Sequence, residues 1–183
     1  MGVLNKAGLM LVLLAPLVYA QYPEQDRGRS EAQNGDGQRC QTGTIVSTTP
    51  STRYQQNKNG TVVDTETGLM WRICLEGAAG EACDQGEPLA ATWAEALLYV
   101  PTFNGKGGFA GHTDWRLPNI RELGTLAELQ CFNPAINLGI FPNAASIGVW
   151  SSSPALFHAH YSWYVDFEIG ALAYGEREKA KAI

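Results

Sequence analysis

After its first twenty residues, the sequence has no apolar run long enough to cross a membrane. A spanning helix needs about 20 apolar residues. The longest apolar run is residues 7–18, which follow Lys6 and end at the motif Val18-Tyr19-Ala20. A short basic start, about a dozen apolar residues and small residues at the −3 and −1 positions are typical of a cleavable secretory signal. We therefore predict that residues 1–20 are a signal peptide rather than a membrane anchor, and that the mature chain keeps no transmembrane segment.

Basic residues are also few. The chain has 13 Lys and Arg against 18 Asp and Glu, which gives a formal net charge of −5. Removal of residues 1–20 takes away Lys6 and makes the charge −6. An acidic surface without a long basic run does not suit nucleic acid or an anionic membrane, so we expect neither as a principal partner.

Cysteine is scarce but even in number, with Cys40, Cys74, Cys83 and Cys131. Thiols of exported chains are normally oxidised, so this count favours disulfides, for which three pairings exist. Cys74 and Cys83 flank one Gly- and Ala-rich loop whose flexibility lets them meet, and this leaves Cys40 with Cys131. The sequence lacks the short Cys and His spacings of zinc sites, so we predict no metal.

Residues 21–39 contain Pro, Gly, Asn, Gln and charged residues but no apolar period. Such a segment cannot bury enough surface to offset the entropy of ordering. We predict that it is a flexible leader and that a single domain occupies residues 40–183, an ordinary domain size.

Two helices are predicted near the middle of the chain. Thr92 begins a Thr-x-x-Glu capping box followed by an apolar stripe, and this helix is expected to stop at Pro101. Asn119 offers a second N-cap with Glu122 at the third helical position, and apolar residues repeat at helical spacing over residues 120–129.

Strands are predicted on both sides of these helices. Residues 61–64 and 69–74 flank a turn and predict a β-hairpin, and residues 149–152, 163–167 and 171–174 predict consecutive antiparallel strands. Helices between two groups of strands indicate an α+β fold rather than a βαβ array.

Catalytic spacings are missing from the sequence. Ser151-Ser152-Ser153 has neither a Gly-x-Ser-x-Gly elbow nor a Ser-x-x-Lys motif, so we interpret these residues as serines at a strand end. His158 and His160 have no evident third ligand nearby and are interpreted as part of an exposed loop. We predict no catalytic residue and no cofactor.

A series of longer motifs follows the predicted elements in order. They include Asn59-Gly60-Thr61-Val62-Val63-Asp64, Thr67-Gly68-Leu69-Met70-Trp71, Asp114-Trp115-Arg116-Leu117-Pro118-Asn119, Cys131-Phe132-Asn133-Pro134, Val149-Trp150-Ser151-Ser152 and Trp163-Tyr164-Val165-Asp166-Phe167. In order and spacing these motifs resemble the Lcl C-terminal domain family of bacterial exported proteins, which takes its name from a collagen-like surface adhesin. The resemblance extends from about Cys40 to the end of the sequence.

The resemblance implies a fold similar to that of C-type lectins and recognition of carbohydrate or of a surface. In the named adhesin, the corresponding domain is thought to bind sulfated glycosaminoglycans, but a mature charge of −6 disfavours such a polyanion here. Family members usually end in a short strand resembling Val-Arg-Leu-Val-Arg, whereas this sequence ends with residues 179–183. Loss of that strand would leave an exposed sheet edge within residues 171–183, which invites pairing with another chain.

Three residues are candidates for ligand binding: Arg116, Phe109 and Tyr161. Arg116 lies at a strand-to-helix junction, where a structural ion pair is the competing interpretation. The two aromatic residues are candidates because aromatic rings in loops can stay exposed. The tryptophans of the motifs are interpreted as core residues, namely Trp71, Trp115, Trp150 and Trp163.

Together these features predict an exported, non-catalytic binding module in the periplasm, on the cell surface or in the medium. Its expected partner is a glycan or an envelope or surface protein, and self-association stays open. Two alternatives remain: a structural or assembly subunit of a surface structure, and an enzyme similar to the lectin-like oxidase that modifies sulfatases. The enzyme would need reactive thiols, whereas all four cysteines are assigned to disulfides.

Overall fold

The computed structural model describes residues 32–33 and 37–183. The predicted signal peptide, residues 1–20, lies outside the described residues, as does most of the predicted leader, residues 21–39. The described strands are β1 (Ala32–Gln33), β2 (Arg39–Cys40), β3 (Tyr54–Gln56), β4 (Thr61–Asp64), β5 (Met70–Arg72), β6 (Ala90–Ala91), β7 (Cys131–Phe132), β8 (Gly148–Pro154), β9 (Tyr161–Asp166), β10 (Ala171–Glu176) and β11 (Lys181–Ala182). The helices are α1 (Trp93–Gly105) and α2 (Ile120–Gly124), with a 3-10 turn at Ser51–Arg53.

The described strands form three sheets. The largest has the strand order β10-β9-β8-β11-β6, and the two smaller sheets have the orders β3-β4-β5 and β1-β2-β7. Strands β8, β9 and β10 are consecutive and antiparallel, as the sequence predicts. With two helices between the strand groups in the described part of the chain, the α+β class is confirmed.

The predicted hairpin is confirmed as strands β4 and β5, which pair antiparallel with Val62 opposite Trp71. Asp64 closes the turn between them because its carboxylate accepts hydrogen bonds from the Glu66 backbone N–H and the Thr67 hydroxyl. On the other side of β4, Gly60 has a φ of +80°, and a Cβ there would lie 3.0 Å from the Phe109 ring. Glycine therefore suits both the backbone and the close approach of that ring.

Helix α1 begins as predicted but ends later. Thr92 and Glu95 form the full capping box, with the Glu95 carboxylate accepting the Thr92 backbone N–H at 2.8 Å. The helix continues through Pro101 to Gly105, so the predicted stop at Pro101 is wrong. Proline removes the N–H that would bond the Leu97 carbonyl, but the helix continues for another turn. In that turn the Thr102 hydroxyl donates to the Leu98 carbonyl at 3.0 Å, and the Phe103 ring stacks on Tyr99.

Helix α2 begins at the predicted N-cap. The Asn119 side chain accepts the backbone N–H groups of Arg121 and Glu122, and Glu122 completes the capping box. The helix ends at Gly124, although the apolar pattern predicts helix as far as residue 129. The chain leaves the helix in a series of turns that still bury Leu126 and Ala127. The apolar spacing is therefore satisfied by turns as well as by the predicted helix.

The core consists of two clusters of buried residues. The larger joins strands β4, β8 and β9 to helix α2 and the loop after β7, with Val62, Val165 and Phe141 among its members. The smaller surrounds Trp150, whose indole N–H donates to the Ala91 carbonyl at 2.9 Å. Of the tryptophans predicted to fill the core, Trp150 is fully buried, and the others are half-buried: Trp71, Trp115 and Trp163.

Both predicted disulfides are present, Cys40–Cys131 and Cys74–Cys83. The first joins β2 to β7 directly, because Cys40 and Cys131 are opposite each other in the sheet. The residue next to β2, Gln38, is buried, and its side-chain amide donates to the Pro134 and Ile136 carbonyls at 2.7 Å. Residues just before Cys40 therefore pack against the domain, while the predicted boundary at Cys40 stays a prediction.

The final strand, β11, lies inside the largest sheet. Lys181–Ala182 pairs antiparallel with β6 and parallel with β8. In the described residues, the outer strands of this sheet are β10 and β6, so the exposed edge expected within residues 171–183 is β10 alone. Neither described helix is long and apolar enough to cross a membrane.

Candidate functional site

Aromatic side chains gather on the surface at strands β9 and β10. We call this group the aromatic patch; it consists of Phe157, His158, Tyr161, Trp163 and Tyr174. The Phe157 ring centroid lies 5.0 Å from that of Tyr174 and 5.9 Å from that of Trp163. The Tyr174 ring also contacts that of Tyr161, and the ring centroids of His158 and Tyr161 are 4.4 Å apart. The rings thus form one continuous surface.

The sheet register creates this surface. Tyr174 is paired with Trp163, and Glu176 with Tyr161. Because side chains alternate across a strand and paired residues share a face, Tyr161, Trp163 and Tyr174 point to the same side of the sheet. Large residues on this face of β10 alternate with Ala171, Ala173 and Gly175 on the other.

The loop before β9 brings Phe157 and His158 to the same surface. Its ends are joined by a backbone hydrogen bond from Ala155 N–H to the Tyr161 carbonyl at 3.1 Å, and Tyr161 N–H donates to the His158 carbonyl. Arg177 supports the other side, because its Nε donates to the Tyr161 carbonyl and to the Ser162 hydroxyl. Phe157 nevertheless remains 63% exposed and Tyr174 52% exposed.

A cleft of about 780 Å³ lies on another part of the domain. It is bounded by strand β5, the loop closed by Cys74–Cys83, the second half of α1 and the segment that leads into α2. Apolar side chains make up much of its wall, including Trp71, Leu75, Val100, Phe103, Leu117 and Phe141. A volume of this order is within the range of ligand pockets, about 300–1,000 Å³.

Polar groups enter the cleft wall from β5 and α1. Arg72 forms an ion pair with Glu76, and its guanidinium lies 4.5 Å from the Phe109 ring centroid and 5.6 Å from that of Phe103. Burial raises the pKa of Tyr99 to about 12, and a hydrogen bond to Glu76 adds to the effect. The Tyr99 hydroxyl therefore stays protonated at neutral pH and serves as a donor.

The aromatic patch and the cleft both lie within the residues that one family model matches. A model described as the Lcl C-terminal domain matches residues 60–183. The chain belongs to the Lcl C-terminal domain family. No curated protein and no solved structure matches the chain. Membership points to a surface or adhesin-like module and names no specific partner.

Within the Lcl C-terminal domain, Arg116 lies on the cleft wall and is engaged in an ion pair. Its two terminal nitrogens each donate to a carboxylate oxygen of Glu122 at 2.7 Å. This bond raises the pKa of Arg116 and lowers that of Glu122. Since Glu122 also accepts the Asn119 backbone N–H, the pair joins the strand-to-helix junction to the start of α2.

Phe109 is half-buried and packs between side chains. Its ring lies 6.3 Å from Trp115 in an edge contact, under the Arg72 guanidinium and against Gly60. Its carbonyl accepts the Trp115 indole N–H at 3.1 Å. Phe109 therefore supports the cleft wall from behind through Arg72, and only Tyr161, of the three predicted residues, lies in the aromatic patch.

The three serines at positions 151–153 form hydrogen bonds to neighbouring segments. Ser151 and Ser152 donate to the Trp163 and Pro118 carbonyls, and Ser153 Oγ accepts the Ile120 backbone N–H. These bonds connect β8 to its neighbours. Among the described residues, no group of three or more His, Cys, Asp and Glu side chains is placed to hold a metal ion.

Sequence reasoning missed several residues of both regions. Phe157 and Tyr174 were not singled out, and Trp163 was assigned to the core. The alternation of large and small residues in β10 is the signal that could have found Tyr174. Nothing local marks the cleft, because its wall comes from segments far apart in the sequence.

Proposed function

We propose that this protein is an exported, non-catalytic binding module that uses a C-type-lectin-like scaffold to present the aromatic patch to a glycan or to an envelope or surface partner. The observation that carries the proposal is the exposure of contiguous aromatic rings. Exposed apolar patches on soluble domains are typical of interaction sites. Tyrosine and tryptophan offer flat apolar faces with a polar end, which suits a ligand that is partly wet.

Support for export comes from the disulfides. Both bridges are of the kind that persists outside the reducing cytoplasm. They occupy all four cysteines of the chain, which supports a binding role over chemistry that needs reactive thiols.

The charge of the chain narrows the ligand class. The mature charge of −6 would repel a sulfated polysaccharide. The patch itself presents four Phe, Tyr and Trp rings and one histidine, so a neutral or weakly charged glycan is the better fit. The ring faces of Phe157 and Tyr174 are the surfaces on which a sugar ring would stack.

The proposal is tested by removing two exposed rings of the patch, Phe157 and Tyr174. A Phe157→Ser, Tyr174→Thr double variant keeps strand propensity at residue 174 and leaves the buried core untouched. Wild type and variant are compared on a glycan array and in pull-downs from envelope extracts. We expect the wild type to bind a glycan or an envelope component and the double variant to lose at least about tenfold in affinity, as for central aromatic contacts in other interfaces.

The matched control is Leu98→Ala, which removes an apolar side chain that is 71% exposed on α1. It should bind as the wild type does. Absence of binding in both assays would contradict the proposal, and so would a double variant that binds as well as the wild type while retaining its fold by circular dichroism.

A second candidate function is that of an assembly subunit, and strand β10 favours it. Within the described residues, β10 pairs only with β9, so its outer backbone groups are open to another strand. Addition of a strand to such an edge is a common mode of association. Sedimentation at increasing protein concentration tests it: self-association that Leu172→Lys abolishes would support assembly, and a monomer at every concentration would exclude it.

A further inference from the structure

The cleft has no part in the function proposed for the aromatic patch, and acidic groups outnumber basic ones in its lining. Five carboxylates and two guanidinium groups line it: Glu76, Asp84, Glu87, Asp114 and Glu122 with Arg72 and Arg116. Both arginines are already paired, Arg72 with Glu76 and Arg116 with Glu122. The carboxylates left over give the cleft an acidic rim.

Three exposed side chains make up this rim, Asp84, Glu87 and Asp114. Among the described residues, no Lys or Arg nitrogen lies within ion-pair distance of any of them, and Asp114 has only His112 Nδ1, at 4.0 Å. Negative charge at the mouth of a low-dielectric cleft attracts cationic ligands. The rim therefore favours a ligand with positive charge at its ends.

Two buried donors in the same wall need an acceptor. Trp71 Nε1 and Arg72 Nε are inaccessible to solvent and have no hydrogen-bond partner among the described residues. Buried polar groups in native proteins are nearly always satisfied, so each unpartnered donor requires an explanation. Both residues line the cleft, so a small displacement of its wall would let carbonyl oxygens of a bound ligand supply the acceptors.

We infer that the cleft is a second binding site, which takes a short peptide segment of a partner protein that has apolar residues flanked by lysine or arginine. The apolar side chains enter the wall formed by Leu75, Val100 and Phe103, and the basic ends lie at the acidic rim. The peptide carbonyls accept from Trp71 and Arg72 once the wall has shifted to expose these donors. A simple alkyl amine matches the rim and the apolar wall but lacks the carbonyl acceptors.

The test compares peptides of equal apolar content and opposite charge. Acetyl-Lys-Leu-Phe-Leu-Lys-amide and acetyl-Glu-Leu-Phe-Leu-Glu-amide are titrated into the oxidised protein by calorimetry, with n-octylamine as a third probe. We expect the lysine peptide to bind at least about tenfold more tightly than the glutamate peptide, and its affinity to fall as salt is added. Octylamine should bind more weakly than the lysine peptide.

A triple variant removes the negative charge of the rim: Asp84→Asn, Glu87→Gln, Asp114→Asn. It should reduce the affinity for the lysine peptide at least fivefold without altering binding at the aromatic patch.

The matched control neutralises three exposed carboxylates elsewhere, Glu168→Gln, Glu176→Gln and Glu178→Gln. It changes the net charge equally and should leave the affinity within about twofold, because none of the three lines the cleft and solvent and salt screen exposed charges.

Trp71→Phe tests the donor separately, because it keeps an aromatic ring and removes the indole N–H. We expect about fivefold weaker binding, the worth of one net hydrogen bond. The inference is wrong if neither peptide binds, if both bind equally, if octylamine binds as tightly as the lysine peptide, or if the rim and control variants lose affinity alike. Since the patch lies outside the cleft, glycan or envelope binding can persist or fail independently of each of these results.

Discussion

The Arg53–Asp64 pair joins the end of the 3-10 turn to the end of strand β4. The Arg53 Nε donates to one Asp64 oxygen at 2.7 Å and its Nη2 donates to the other. Burial on its own would raise the pKa of Asp64, but hydrogen bonds from Arg53, Thr67 and the Glu66 backbone outweigh it and lower the pKa to about 2. The carboxylate is therefore ionised throughout the neutral range and holds both the arginine and the hairpin turn.

Asp64→Asn should lower the free energy of unfolding by about 3–5 kcal/mol, because it leaves the buried guanidinium without its counter-charge. Urea unfolding at pH 7 measures this. The control is Glu66→Gln, whose side chain is 66% exposed and lies 3.5 Å from the same Arg53; it should change the stability by less than about 1 kcal/mol. Equal losses in the two variants would contradict the role given to the buried pair.

Glu128 is a second buried carboxylate, and it organises the segment before the 3-10 turn. It accepts hydrogen bonds from the backbone N–H groups of Thr48, Thr49 and Gln130 and from the hydroxyl of Ser47. Burial alone would raise its pKa, but these bonds together lower it from 4.5 to about 2.

A carboxylate with a depressed folded pKa contributes stability above its unfolded pKa and loses that contribution as pH falls through its folded pKa. We expect the wild type to lose about 3 kcal/mol from Glu128 between about pH 4.5 and pH 2. Glu128→Gln should be less stable at pH 7 and show a flatter loss over that window. Unfolding free energies at pH 7, 4 and 3 measure the difference; parallel curves for wild type and variant would show that Glu128 does not titrate as described.

At the scale of elements, helix α1 contains an unusual residue, Pro101, in its interior. The proline deprives the Leu97 carbonyl of its helical N–H partner. Pro101→Ala restores that donor at an exposed position and should raise the free energy of unfolding by about 1–3 kcal/mol. Thermal and urea unfolding measure the change. A loss of stability would mean that the proline shapes the end of the helix in a way that alanine cannot.

The starts of both helices could be predicted from the sequence because a capping box is local. Thr92 with Glu95 and Asn119 with Glu122 lie within one turn and depend on nothing distant. The ends could not. After Gly124 the apolar residues suit a helix and a series of turns equally well, and burial of Leu126 and Ala127 against distant strands decides between them.

The aromatic patch and the cleft were likewise predictable only in part. Tyr161 is predicted from the sequence as an exposed loop residue, but it is half-buried at the start of β9. Its neighbours in the patch follow from the register that pairs Tyr174 with Trp163. Register is a property of two strands and their burial, which single-strand patterns do not contain. For Arg116, the sequence leaves two interpretations, ligand binding and a structural ion pair. Arg116 forms such an ion pair, through two hydrogen bonds to the Glu122 carboxylate.

For the whole molecule, the two disulfides should differ in their contribution. Cys40 and Cys131 are 91 residues apart, whereas Cys74 and Cys83 are 9 apart. In the chain-entropy model the first bridge contributes about 4–5 kcal/mol and the second about 3 kcal/mol. We expect Cys40→Ala, Cys131→Ala to lower the free energy of unfolding more than Cys74→Ala, Cys83→Ala, as measured by urea unfolding of the otherwise oxidised proteins. The reverse order would show that the short loop carries more of the fold than its length implies.

The central claim, that the aromatic patch is the binding surface, is tested most directly by hydroxyl-radical footprinting of the intact protein with and without envelope extract or a glycan mixture. We predict that oxidation of Phe157, Tyr161, Trp163 and Tyr174 falls when the binding material is present, while oxidation of Leu98, which is exposed on α1 outside both the patch and the cleft, does not change. Unchanged oxidation of the patch residues, in a sample where the protein is bound, would contradict the account.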